Sequence, residues 1–214
     1  EEITMSEVDE AHDRVLMGPA KVTKKYTDKE KKIVAYHEVG HAIVAALSKD
    51  TEPVQKITIV PRTMGALGYT MQMPEEEKYL MSRDEILDDL TVFVAGRAAE
   101  EIVFNVQTTG AANDIERASK LARSMIAQYG MSETFGMTAL ESIESKYLDG
   151  RSVSNCSEET KTALDNEVIK ILKDSYNTAK KILTDNIEAL HEISKFLIEK
   201  ETITGTEFMK ILND

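Results

Sequence analysis

The segment His37-Glu38-Val39-Gly40-His41 lies inside an apolar stretch, with Ile33-Val34-Ala35-Tyr36 before it and Ala42-Ile43-Val44-Ala45-Ala46 after it. No other feature so limits what this chain can become. Flanks of that kind describe a largely buried helix, and burying two imidazoles and a carboxylate is costly unless something pairs with them. Residues four apart share one helical face, so His37 and His41 can reach a single metal ion. Two neutral imidazoles suit zinc, which lowers the pKa of its water to roughly 7. Glu38, beside the same site, can take a proton from that water and deliver it to a leaving amine. Gly40, inside the helix, costs about 1 kcal/mol relative to alanine; close packing against another element explains it, and so does room beside a metal.

A catalytic zinc needs a third protein ligand and an open position. The remaining histidines are poorly placed, His12 preceding His37 by 25 residues and His191 falling in the C-terminal region. Both read as surface or packing residues. The third ligand is therefore expected among carboxylates. Asp114 follows a Thr-Thr-Gly-Ala-Ala loop and begins a helix, where it can be aimed at a metal or can be a first-turn acid favoured by the helix dipole. Glu100 and Glu101, next to Gly96-Arg97-Ala98-Ala99, are the competitors.

The surrounding pattern predicts a mainly α-helical (α+β) fold. Thr27-Asp28-Lys29-Glu30 is a capping box that opens the motif helix, expected to run to about residue 48. Two strand-like segments follow, 54–60 around Ile57 and Ile59 and 67–73 around Tyr69 and Met71, with Pro61 and Gly65 in the loop between them. A second capping box, Ser82-Arg83-Asp84-Glu85, opens a helix to about 104. A third helix covers about 113–129 and is stopped by Gly130. Residues 131–156 read as irregular. Helices are then expected over 157–183 and 186–200, and Thr204-Gly205-Thr206-Glu207 caps a last short one. The organisation is thus a zinc-binding helix beside a small β-sheet, with a C-terminal helical region. Residues 1–26 read as a connector with helical potential around Val8, Ala11, Val15 and Leu16, a break at Gly18-Pro19 and a basic end. Within residues 27–214, the part 27–136 carries the chemistry and 137–214 is helical.

Composition removes several classes of function. The 214 residues carry a formal net charge of −12, a field that repels phosphate backbones and argues against a nucleic-acid partner. One cysteine, Cys156, in a polar stretch, allows no intrachain disulfide and reads as an incidental thiol. No apolar run approaches the ~18 to 20 residues of a membrane-spanning helix, and no signal peptide is visible. A membrane anchor, if the intact protein has one, is expected outside this fragment. No G-x-x-x-x-G-K-[ST] phosphate loop occurs, so ATP hydrolysis of that kind is not expected here.

The ordered blocks of sequence resemble the peptidase domain of FtsH-type ATP-dependent zinc proteases over nearly the whole length. They are Asp13-Arg14-Val15-Leu16-Met17-Gly18-Pro19, Ala35-Tyr36-His37-Glu38-Val39-Gly40-His41-Ala42, Ile59-Val60-Pro61-Arg62, Leu67-Gly68-Tyr69, Ala95-Gly96-Arg97-Ala98-Ala99-Glu100-Glu101-Ile102, Thr108-Thr109-Gly110-Ala111-Ala112-Asn113-Asp114 and Gln128-Tyr129-Gly130-Met131-Ser132. The resemblance implies that Asp114 is the third zinc ligand and that Glu100 or Glu101 hydrogen-bonds to a ligand or is structural. It implies an endopeptidase acting on unfolded or misassembled proteins and fed by an ATPase module, with its ATP and Mg²⁺, that this chain lacks. It further implies a homo-oligomer, expected to be a hexamer, tethered to a bacterial inner membrane or an organellar one. The rival reading is a helical assembly module that retains the zinc residues but no hydrolysis; a third is a metal-free helical adaptor. The intact Glu38 disfavours the former, because a structural site needs no base.

Overall fold

The computed structural model describes residues 3–20, 27–63, 67–74, 78–144 and 151–213. The basic end of the connector (21–26) and Gly65 lie outside the described residues. Helix α1 (Met5–Met17) starts on a capping box made by Thr4 and Glu7 and ends at Gly18, whose φ of 78° suits a residue without a side chain. Helix α2 (Asp28–Leu47) starts where the sequence places it: the Thr27 hydroxyl accepts from the Glu30 amide and the Glu30 carboxylate accepts from the Thr27 amide. From Val34 to Ala45 almost every residue of α2 is buried, so the motif helix forms the centre of the molecule. It packs against α3 (Arg83–Phe104), against α6 (Ile187–Lys200) and against strand β1 (Val54–Thr58).

Gly40 is explained by the first of its two readings. A Cβ there would lie 2.7 Å from Ala99 Cβ and 3.0 Å from the Ala95 carbonyl oxygen of α3. The α2 and α3 backbones therefore meet across Gly40, Ala95 and Ala99 at a separation that a larger residue would not allow.

The sheet beside α2 has three antiparallel strands in the order β2-β1-β5, with β2 at Tyr69–Gln72 and β5 at Thr202–Thr204. Lys56 of β1 stands opposite Met71 on one side and Thr204 on the other. Strand β5 departs from expectation: residues before the Thr204 cap join the sheet, and Ile203 buries its side chain next to Ile57. The cap itself forms, with Glu207 and Thr204 exchanging hydrogen bonds at the start of α7 (Gly205–Asn213).

After α3 a single 3₁₀ turn, Thr109–Ala111, leads into α4 (Ala112–Ala127). Residues 131–156 are not irregular throughout. Strands β3 (Glu141–Glu144) and β4 (Arg151–Ser154) form an antiparallel hairpin in which Ser142 stands opposite Val153. Four residues per strand give too short an alternation to register as a period. Helix α5 (Glu158–Asp185) then runs about 42 Å across α3 and α4. Among the described residues no helix is long and apolar enough to cross a membrane.

Candidate metal centre

The site is built from one face of α2, the facing side of α3 and the first turn of α4. His37, Glu38 and His41 are each less than a tenth exposed. His41 Nδ1 lies 2.7 Å from the carbonyl oxygen of Val92. A carbonyl only accepts, so Nδ1 carries the hydrogen and the lone pair of the neutral ring sits on Nε2. His37 Nδ1 lies 2.8 Å from Glu100 Oε1 and is held the same way. Both Nε2 atoms then face one point, 3.1 Å from each other.

Asp114 closes the triangle. Its Oδ2 lies 3.4 Å from His37 Nε2 and 3.6 Å from His41 Nε2, and one ligand atom from each of the three residues lies within 4.8 Å of the others. Three electron-pair donors aimed at one point repel unless a cation lies between them. Zinc–nitrogen and zinc–oxygen bonds of about 2.0–2.2 Å in tetrahedral array set donors about 3.3–3.6 Å apart. The separations here are of that size, so the residues fit a zinc ion.

The electrostatics point the same way. Burial works against a charged His37, but hydrogen bonds to Asp114 and Glu100, with the charge of Glu38 nearby, outweigh it and push its pKa up to about 10. Burial also opposes a charged Asp114, yet the two imidazoles hold its carboxyl well below the usual carboxylate range. The negative charge converging on His37 is the charge that a divalent cation would neutralise, displacing the ring proton. Burial chiefly drives Glu38 the other way: its pKa is raised, with the charge of Asp114 adding to the rise and the two imidazoles pulling only partly against it.

Glu100 and Glu101, competitors in the sequence, have separate tasks. Glu100 is 1% exposed and its oxygens turn away from the triangle. One accepts from His37 Nδ1 and from the Thr108 hydroxyl at 3.0 Å, the other from the Thr108 amide at 2.9 Å. Thr108 in turn accepts from the Gly110 amide, setting the 3₁₀ turn that delivers Asp114. A single carboxylate therefore holds the His37 ring and anchors the loop in front of Asp114. Arg97 Nη2 donates to the Thr108 carbonyl and braces the same loop. Glu101 points to α5, where it accepts from Tyr176 Oη at 2.6 Å and Lys180 Nζ at 2.8 Å. His12 is exposed on α1, and His191 Nδ1 is hydrogen-bonded to Tyr36 Oη at 2.8 Å; neither joins the cluster.

Three positions escaped sequence reasoning. Gly96 on α3 lies directly under the imidazoles, and a Cβ there would fall on His37 and sit 2.6 Å from His41 Nε2. Gly68 leaves room for Glu38: a Cβ would stand 3.0 Å from Glu38 Cγ and 2.7 Å from the Thr58 carbonyl oxygen. Thr70 of β2 donates to the Glu38 carbonyl oxygen at 2.9 Å and approaches its carboxylate at 3.3 Å. A glycine within a helix is the one signal the sequence carries for Gly96. Over the cluster opens a cleft of about 940 Å³, bounded by Ile33 and Val34 of α2, the 67–72 segment, Val92 and Phe93 of α3, and the 108–114 turn.

Known proteins place the chain. Residues 24–211 match the profile of peptidase family M41. The chain is 57% identical over 210 residues to an ATP-dependent zinc metalloprotease FtsH of Clostridium perfringens, covering 98% of this chain and 29% of that protein. An FtsH zinc metalloprotease of Lancefieldella parvula is 49% identical over 98% of the chain and 33% of its own length. That of Thermotoga maritima is 48% identical over 100% and 36%. The chain thus spans about a third of the length of these curated relatives.

Proposed function

The chain belongs to peptidase family M41, and from that premise we propose that it is the proteolytic part of an ATP-dependent zinc endopeptidase that cuts unfolded or misassembled proteins. The observation that carries this reading is the convergence of His37 Nε2, His41 Nε2 and Asp114 Oδ2 beside a buried carboxylate, Glu38, that forms no ion pair with a lysine or arginine among the described residues. Zinc is the cofactor, held by those three atoms. When bound it lowers the pKa of a water to roughly 7 and polarises a carbonyl as a Lewis acid.

The chain's own residues do the rest. Glu38, its pKa raised by burial, is the group to receive the proton of the attacking water and to return it to the nitrogen of the leaving amine. The Thr70 hydroxyl holds that carboxylate from one side, and Gly68 leaves the space it occupies. Val92 and Glu100 keep the two imidazoles turned with Nε2 inward. Strand β2 pairs with β1 on one side, and among the described residues its other edge faces no strand. An extended substrate can add to that edge by main-chain hydrogen bonds, laying its peptide bond beside Glu38.

In the intact protein, residues 1–26 connect to an ATPase module that uses ATP and Mg²⁺ to unfold substrates and thread them in. The part 27–136 holds the chemistry and 137–214 supplies helical support. Assembly as a homo-hexamer and tethering to a bacterial inner membrane, or to a mitochondrial or plastid membrane, through segments outside this chain complete the reading. The negative charge argues against a nucleic-acid partner. The test is hydrolysis of a quenched fluorescent peptide by the zinc-loaded chain and by Glu38→Gln. A loss of about 10² to 10⁴ in kcat with zinc retained is expected. Equal rates in the two proteins would refute the assignment and leave the inactive assembly module.

A further inference from the structure

The cleft has a wall that does not come from the catalytic part. Met17, the last residue of α1, lines it together with Ile33 and Val34 of α2 and Leu67 before β2. Ile33 stands four residues before His37 and Val34 four before Glu38, so this apolar corner lies about one helical turn, ~5.4 Å, from the first metal ligand and the base. An extended peptide advances about 3.4 Å per residue. The corner therefore meets a substrate side chain one or two residues from the scissile bond.

Met17 does not rest there by apolar contact alone. Asp13, one turn earlier on α1, and Arg62, in the loop after β1, are 5% and 4% exposed. Arg62 Nη2 donates to Asp13 Oδ2 at 2.8 Å and to Glu10 Oε2 at 3.0 Å, while Lys56 Nζ of β1 donates to Asp13 Oδ1 at 2.6 Å. The Thr63 amide adds a bond to the Pro19 carbonyl at 3.0 Å just beyond Met17. Buried ion pairs of this kind contribute little net stability, because desolvation offsets their attraction, but a pair with several fixed partners is satisfied in only one placement of α1. That placement sets Met17 in the cleft.

We propose that Met17 is a specificity-determining residue: the connector helix completes an apolar subsite with Ile33, Val34 and Leu67 that takes an aliphatic substrate side chain next to the scissile bond, and Asp13 and Arg62 are the positioning residues that hold it there. The inference rests on the reading of the cleft as a peptidase site. It makes selectivity a property of the link to the rest of the protein, since a displaced α1 opens the subsite without touching the metal centre.

The test uses the full zinc-loaded chain in a Glu38→Gln background. Labelled alanine-based peptides carrying one leucine at successive positions are compared with the all-alanine parent by fluorescence anisotropy. One leucine position is expected to tighten binding about tenfold, the size of effect a few methylenes produce in an apolar pocket. Met17→Ala should cut that preference to within about threefold, and Met17→Glu should turn it toward lysine at the same position. Asp13→Asn should weaken the preference while zinc per chain and the affinity for the all-alanine parent stay the same, a split that general loss of structure would not produce. No leucine preference in the background protein, or one that survives both Met17 substitutions, overturns the proposal. Failure of the Glu38 protein to hydrolyse any of these peptides would count against the peptidase reading instead, and the binding comparison would still decide the role of Met17.

Discussion

Replacing Gly96 by alanine should empty the metal centre while leaving the fold standing. The added Cβ would lie 2.6 Å from His41 Nε2 and closer still to His37, whereas ordinary contact begins at 3.4 Å. Relief requires the rings to move about 0.8 Å or more, several times the ~0.2 Å tolerance of metal–ligand distances. Neither ring can retreat freely, since each is tied at Nδ1, to Glu100 and to the Val92 carbonyl. The ligand geometry therefore breaks, and zinc affinity should fall by more than about 100-fold. Global stability should change much less: overpacking costs about 1–3 kcal/mol, and alanine in place of glycine in a helix returns about 1 kcal/mol. Chelator competition gives the affinity and thermal unfolding of the metal-free proteins gives the stability. A Gly96→Ala protein that binds zinc as tightly as the parent would refute the placement of Gly96 beneath the imidazoles.

Gly68→Ala tests the other side of the site. Its Cβ would press on Glu38 and on the Thr58 carbonyl, so zinc should be retained while hydrolysis falls about 10²-fold, as expected for a base misplaced by about 1 Å; zinc analysis beside a kcat measurement checks both. Glu101, whose pKa is lowered to about 2 by Lys180 and Tyr176, should matter for stability and not for the metal. Because its folded pKa lies below the ordinary value of about 4.3, its contribution is present above that value and is lost as the pH falls toward 2. Glu101→Gln should therefore destabilise the chain by up to about 1 kcal/mol at pH 7 and by much less at pH 2, read from urea unfolding at the two pH values, with zinc content unchanged.

Much of the helical framework is written locally in the chain. Thr27 with Glu30, Ser82 with Glu85, and Thr204 with Glu207 are short-range signals, and all three close the hydrogen bonds that start helices. The pieces that were missed depend on distant partners. Strand β5 is three residues long and becomes a strand because β1 lies beside it, with Ile203 paired to Ile57, 146 positions away in the chain. The β3–β4 hairpin has four residues a side and little alternation to read. At the candidate site, spacing alone puts His37, Glu38 and His41 on one face of a helix. The resemblance implied Asp114, but spacing alone could not choose among Asp114, Glu100 and Glu101, because that choice turns on which carboxylate faces Nε2 and which faces Nδ1. Gly96 was harder still: a missing Cβ signals nothing until the facing helix is in place. Gly40 and Gly96 lie on the two helices that meet there, and a pair of glycines in two buried helices was the available hint of close approach.

The central claim is that His37, His41 and Asp114 form a single zinc site for peptide hydrolysis. Zinc per chain, by elemental analysis after zinc loading and desalting, tests it most directly in the parent, Asp114→Ala and Glu100→Ala. The account predicts one zinc in the parent, its loss in Asp114→Ala, and a Glu100→Ala protein that still takes one zinc but holds it about 10 to 100 times more weakly. No zinc in the parent, or full retention in Asp114→Ala with loss in Glu100→Ala, would contradict it.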